Sequence, residues 1–206
     1  MRLYPRLSVD PSKRVRQLTH MQHGTICTAS KKRVANFMPH VIGPWLCGTY
    51  DSDHTVAKAA RGSLIKTFTL DKLGKVWEVY QADILSYCTN IIEREQVYTL
   101  SNTAQGKNTE ESEAKFARVI MACICAIRHL LCKFACFCKW GLGAKELLVE
   151  LPSKIVAKED QTYCEFFSKP KIWEFGYYAD PTVRKAVYNL LKACLKGNQS
   201  KNLDYS

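Results

Sequence analysis

Three kinds of segment are missing from this sequence, and each absence excludes a class of protein. No apolar leader opens it: the first residues read MRLYPRLSVDPSKRVRQ, with no hydrophobic stretch of the kind a secretory signal needs. The ten cysteines are therefore expected as reduced thiols of a cytosolic protein, not as a disulfide framework. No long apolar run is present either. The most apolar stretch, Val119 to Trp140, is broken by Arg128, His129, Lys133 and Lys139, a scatter of charge that a membrane helix would not carry. Catalytic signatures are missing too: there is no C-x-x-C pair, no G-x-S-x-G and no phosphate loop, so neither a catalytic module nor a small-molecule substrate is expected.

Carboxylates are scarce in one region only. Residues 1–75 hold 13 Lys and Arg against 4 Asp and Glu, a net of +9, while the remaining residues balance to +2. A field of one sign in the first third favours a polyanionic partner, either RNA or an acidic protein surface. Lys13, Arg14, Arg16, Lys31, Lys32 and Arg33 are the candidate contact residues, grouped around what reads as one connection between helices. Loops along one rim of a helical solenoid often form its contact surface.

What the sequence does contain is a recurring start signal. Asp10-Pro11-Ser12-Lys13-Arg14-Val15-Arg16, Asp51-Ser52-Asp53-His54-Thr55-Val56 and Asp180-Pro181-Thr182-Val183-Arg184 each offer Asp as a helix cap. An Asp carboxylate takes up free backbone N–H groups there, and Pro at the first helical position loses nothing. Val15 and Val56 lie 41 residues apart, and Val56 and Val183 about three such periods. Helical HEAT and armadillo repeats run roughly 40–47 residues. The predicted fold is therefore all-α, a HEAT/ARM-like helical-repeat solenoid over residues 1–197, with antiparallel helix pairs and with Val15, Val56 and Val183 inside. A polar loop is expected over 99–112, a divergent segment over 132–170 and a frayed tail over 198–206. Stripes of apolar residues mark helices over 73–97 and 113–139, and Val183, Ala186, Val187, Leu190, Leu191 and Cys194 form the last one. In the first copy Val15, Leu18 and Ile26 are predicted to face inward, with Lys13, Arg16, His20 and His23 on the solvent side.

A metal centre is expected to be absent. Cys125, His129, Cys132 and Cys136 share one helical face, but Cys125 and Cys136 are eleven residues apart, about 16 Å of helix rise, beyond the reach of one zinc ion. Cysteine then acts as a small apolar residue.

Several blocks resemble the N-terminal region of the listerin family of E3 ubiquitin ligases. They include Leu3-Tyr4-Pro5-Arg6-Leu7-Ser8, Gly43-Pro44-Trp45-Leu46-Cys47-Gly48, Trp77-Glu78-Val79-Tyr80-Gln81, Glu113-Ala114-Lys115-Phe116-Ala117-Arg118-Val119 and Lys171-Ile172-Trp173-Glu174-Phe175. The resemblance implies a cytosolic, ribosome-associated protein of ribosome quality control, a pathway of protein degradation. Its N-terminal region would contact the large ribosomal subunit and the partner that recognises the exposed peptidyl-tRNA. The family's RING, which binds zinc and recruits the conjugating enzyme, is absent here, so no cofactor is expected in this chain and it reads as a scaffold fragment. The alternative is a free-standing helical-repeat adaptor unrelated to ubiquitin.

Overall fold

The computed structural model describes residues 3–101, 109–133 and 171–196. Every regular element among them is helical. They are α1 (Tyr4–Leu7), α2 (Lys13–Ser30), a 3-10 segment (Lys31–Phe37), α3 (Met38–Gly48), α4 (His54–Phe68), α5 (Leu70–Arg94), α6 (Val97–Leu100), α7 (Thr109–Lys133), α8 (Lys171–Glu174), a 3-10 turn (Phe175–Tyr177) and α9 (Pro181–Lys196). No helix among the described residues is long and apolar enough to cross a membrane. The chain divides into two compact units, Met1–Ala126 and Ile127–Ser206.

The first unit stacks two helix pairs. Within the first pair, α3 runs back along α2, so that Gly48 meets His20. Equivalent helices of successive pairs run parallel. The starts of α2 and α4 meet through Lys13 and Asp53, and further along Gly24 meets Ser63. In the other layer Gly43 of α3 lies against Tyr87 of α5, and Cys47 against Cys88. Helix α7 then runs antiparallel to α5, with Lys115 donating to the Leu100 carbonyl at 2.6 Å and Cys123 reaching the level of Cys88. This is the all-α helical-repeat organisation expected from the 41-residue period.

Local sequence explains the boundaries. Asp53 caps α4, accepting from the backbone of Thr55 at 2.9 Å and of Val56 at 3.4 Å. Asp180 accepts from the Thr182 backbone at 2.7 Å ahead of α9, so both Asp-x-Thr-Val sequences work as the spacing predicts. The first copy differs. Helix α2 begins at Lys13 with Ser12 at the cap, and Asp10 instead closes a turn by accepting from the Ser12 N–H at 2.8 Å. The lead-in is held in place because the Arg16 guanidinium takes the carbonyls of Asp10 and Pro11, both at 2.8 Å. Arg184 grips Tyr178 and Ala179 in the same way, at 2.6 and 2.7 Å. Pro44 lies inside α3, where it leaves the His40 carbonyl without its helical N–H. Both α2 and α4 stop abruptly at a residue of positive φ, Lys31 (46°) and Thr69 (59°). Glycine is usual at such a position, and for a β-branched threonine the conformation is strained.

Burial follows the predicted register at most points. Val56 and Val183 are fully enclosed and Val15 is half-buried. Trp77, Ile84, Leu85, Cys88 and Ile92 line the inner face of α5, and Ile120, Cys123, Ile124, Ile127, Leu130 and Leu131 that of α7. In the second unit Val183, Ala186, Val187 and Leu190 of α9 are buried, together with Ile172 and Phe175. Phe37 is exposed. Helix α7 begins at Thr109, inside the stretch expected as loop, with Glu110 and Glu111 in its first turn where the helix dipole favours acidic side chains. The segment read as divergent, apart from 132–133, and the tail from 198 fall outside the described residues.

Two glycines set the spacing of the layers. A Cβ on Gly24 would sit 2.5 Å from the Ser63 Cβ, and one on Gly43 would sit 2.7 Å from the Tyr87 Cβ. Gly62, also inside a helix, has nothing within 4 Å. Gly24→Ala is therefore expected to lower stability by about 1–3 kcal/mol through overpacking, although alanine is the better helix former. Gly62→Ala should raise it by roughly 0.8–1 kcal/mol. Urea unfolding of the two variants checks the difference, and equal effects would refute the close helix approach.

Candidate functional site

The basic residues singled out from the sequence fall into three places. Arg16 is not on the surface. It is buried, its Nε donates to Asp51 Oδ2 at 2.8 Å and its Nη2 to Oδ1 at 3.1 Å. The prediction that α2 turns Arg16, His20 and His23 to solvent is thus corrected: these side chains are buried, while Leu18 and Ile26 are exposed. The physical reason is partnership. Arg16 has a carboxylate and two carbonyls, His20 has the Tyr4 hydroxyl at 3.0 Å, and His23 stacks on Tyr4 at 3.8 Å between centroids and packs edge-on against Trp45 at 4.4 Å. A polar group with its hydrogen bonds made tolerates the core.

Arg118 of α7 joins this network. It donates to the carbonyls of Val9 and Asp10, both at 3.1 Å, and its Nε stands 4.0 Å from Asp51. Burial, then the neighbouring Arg16, pulls Arg118 down to about 10, so it stays cationic at neutral pH. Two guanidiniums thus share the Asp51 carboxylate, and the Asp10 carboxylate also acts on Arg118.

The remaining basic residues lie at opposite ends of one helix. Lys13 and Arg14 are exposed at the start of α2, with Lys13 already 3.5 Å from Asp53. Lys31, Lys32 and Arg33 are exposed just past its end. An 18-residue helix separates the two groups by about 27 Å, so they do not form the single patch that the sequence suggested.

The second group has a concave surface beside it. A cavity of about 460 Å³ is lined by Lys31, Lys32 and Lys72, with Phe68, Tyr80, Thr28 and Thr67 among the other lining residues, and by no carboxylate. The positive-φ residues Lys31 and Thr69 end the two helices that border it. Lys72 was not singled out from the sequence. Its place follows only from the abrupt α4–α5 junction, which carries the start of α5 to the end of α2.

The cysteines read together along α7 do not converge: Cys125 is half-buried, Cys132 is exposed, and Cys136 lies outside the described residues. A different set does. Cys47 of α3, Cys88 of α5 and Cys123 of α7 are all buried, and their three sulfurs lie within 4.8 Å of one another. Cys47 Sγ is 3.8 Å from Cys88 Sγ and 3.9 Å from Cys123 Sγ. S–H bonding to Cys123, and burial after it, hold Cys47 and Cys88 above the usual thiol range, whereas Cys123, accepting from both, is pulled below it.

Comparison with known proteins places these features in a family. The profile described as "E3 ubiquitin-protein ligase listerin, N-terminal domain" matches residues 1–205. The chain is 31% identical over 202 residues to the E3 ubiquitin-protein ligase listerin of Neurospora crassa, covering 96% of this chain and 11% of that protein. It is 27% identical over 192 residues to that of Gallus gallus, covering 93% of this chain and 10% of the relative. With the listerin of Saccharomyces cerevisiae it shares 27% over 124 residues, 59% of this chain and 8% of the relative. The chain thus spans about a tenth of the length of the curated relatives it matches.

Proposed function

Because this chain belongs to the listerin family of E3 ubiquitin ligases, within the N-terminal domain, we propose that it is the ribosome- and partner-binding scaffold of such a ligase, positioning it on large ribosomal subunits for ubiquitination of stalled nascent chains in the cytosol. The scaffold itself performs no chemistry in this reading. The observation that carries it is the cationic cavity at the end of α2, where Lys31, Lys32 and Lys72 border Phe68 and Tyr80 with no carboxylate among the lining residues. Cationic side chains beside aromatic ones suit a nucleic-acid backbone with an unstacked base. The exposed Lys13 and Arg14, one of them already paired with Asp53, form a weaker second contact. Arg16 is not part of the contact surface. It acts inside the fold.

Co-sedimentation of the 206-residue chain with purified large ribosomal subunits at graded salt tests this reading. Removing one lysine–phosphate interaction lowers the slope of log affinity against log salt by roughly 0.7–0.9. Combined Lys31→Glu, Lys32→Glu and Lys72→Glu should therefore flatten the slope by about two units and weaken binding, with helicity unchanged. Lys13→Glu with Arg14→Glu should do less. Lys185→Glu with Lys192→Glu on α9 should leave binding unchanged. Equal weakening by all three sets would reduce the interaction to net charge. Unweakened binding in the first set would remove the cavity from the interface and favour a helical-repeat adaptor whose partner is another protein.

A further inference from the structure

Three thiols, one each from α3, α5 and α7, meet inside the second layer of the stack. Cys47 and Cys88 are 41 residues apart, one repeat period, so they occupy matching positions of consecutive pairs, and Cys123 closes the triangle from α7. Cys88 and Cys123 have no exposed surface. The sulfurs are unlinked; two of their three separations, 3.8 and 3.9 Å, are those that ligands keep around one small ion, and the third is within 4.8 Å. Metal–thiolate bonds of about 2.3 Å place sulfurs roughly 3.8–4.0 Å apart in tetrahedral or trigonal geometry.

Ligand number then selects the metal. Structural zinc takes four ligands, and the cluster holds three. A fourth could come only from a single water in the small cavity that Cys47 lines. Thiolate sets favour soft ions, and of the soft first-row ions Cu(I) is content with three sulfurs alone. We propose that Cys47, Cys88 and Cys123 form a three-sulfur site for a soft monovalent cation of the Cu(I) class, which fastens α3, α5 and α7 together.

Charge supports this choice. A small cavity of about 20 Å³ touches Cys47, Gly48, Asp51, Tyr87 and Arg118. The Arg118 guanidinium therefore lines the same space as Cys47, with Asp51 beside it. Cu(I) held by two thiolates and one thiol carries a net charge of −1, which the nearby Arg118 guanidinium offsets in part. Binding releases two protons in this form, three if the last thiol ionises, and involves no change of oxidation state. The cavity has room for about one water beside Cys47.

The test is anaerobic titration of the reduced chain with Cu(I), supplied as its acetonitrile complex, against a chromophoric Cu(I) chelator. One equivalent should be held more tightly than any other. X-ray absorption should show sulfur ligands numbering three, and the emission of a solvent-shielded Cu(I)–thiolate centre should appear with that equivalent. Cys123→Ala and Cys47→Ser should each weaken that equivalent at least the roughly 100-fold that loss of a mere supporting partner can cause at a metal site. Cys132→Ser, on the exposed side of α7, should leave it unchanged. Far-UV helicity identifies which variants remain folded, and either trio variant that folds decides. Retention of the tight equivalent in a folded trio variant, loss of it in Cys132→Ser, or a stronger four-coordinate zinc complex would each overturn the proposal. Copper binding with ribosome binding abolished, or the reverse, separates this site from the basic contact surface.

Discussion

Arg16→Ala lowers the unfolding free energy by about 3–5 kcal/mol, the usual cost of removing one partner of a buried ion pair. Asp51 would be left with Arg118 at 4.0 Å and no bidentate donor, in a place where both side chains of the pair are almost wholly buried. Asp51→Ala is the more damaging change. It strips the carboxylate from two guanidiniums and also removes the acceptor of the Asp53 N–H at 2.9 Å, so the turn into α4 loses its brace. Asp51→Asn should fall between, because the amide oxygen can still accept from one donor. Replacing both partners by apolar residues, Arg16→Met with Asp51→Leu, should recover much of the stability, since no charge of the pair is then stranded. Recovery will be incomplete because Asp10, Pro11 and Asp53 lose their bonds to this pair. Urea midpoints at constant m-value measure the series. Surface-like values, under about 1 kcal/mol for both single changes, would show the pair to be solvated rather than internal.

This pair also marks where the sequence stops being readable. The repeat register was legible where it rests on local chemistry, an Asp cap with valine three positions on, at Asp53/Val56 and Asp180/Val183; ahead of Val15 the cap is Ser12 and not Asp10, the residue the sequence pointed to. The apolar stripes of α5, α7 and α9 were legible because they are long and pure. The face of α2 was not. Its buried side chains include Arg16, His20 and His23, which any polarity pattern assigns to solvent, while Leu18, Met21 and Ile26 are exposed. The partners that make burial tolerable lie elsewhere in the chain: Asp51 is 35 residues from Arg16 and Tyr4 is 16 from His20. No periodicity within one helix carries that information. The cysteine trio was missed for a related reason, since ligand spacing was read along one helix. The period itself held the signal, because Cys47 and Cys88 are separated by the same 41 residues as Val15 and Val56. The basic surface was legible as charge but not as shape, because the length of α2 separates Lys13 from Lys31.

Acidification from pH 7.5 to 5 should weaken the fold by about 2–4 kcal/mol through the same helix face. Burial, opposed by Asp51 and aided by Arg16, lowers His20 from 6.5 to about 4. Burial, then His20, lowers His23 to about 4 as well. The folded state therefore keeps both rings neutral where the unfolded chain protonates them. Their contribution is fully present above pH 6.5, declines as pH falls through 6.5, and is exhausted near the folded values of about 4. Each unit of pH below 6.5 removes about 1.4 kcal/mol per site, and the two sites sum to less than twice the single value because part of the His23 shift comes from His20. Burial also lowers His129, which adds in the same direction. The carboxylates of Asp53, Asp71 and Asp180 are held below their usual range, so their protonation belongs to lower pH. Geometry explains why His20 resists a proton so strongly. Its Nδ1 pairs with the Tyr4 hydroxyl at 3.0 Å, which burial keeps protonated, and its Nε2 has no hydrogen-bond partner and lies against Gly48, where a Cβ would come within 2.4 Å. A second proton would be buried with no carboxylate in hydrogen-bond contact. His23→Phe preserves the stack on Tyr4 and removes one titrating site, so it should flatten the stability–pH slope between 7 and 5 by roughly a third to a half without lowering the unfolding free energy at pH 7.5 by more than about 1.5 kcal/mol, the tolerance of a similar-volume core exchange. An unchanged slope in that variant would mean that His23 is protonated in the folded chain, and that the Tyr4–His23–Trp45 packing is open to water.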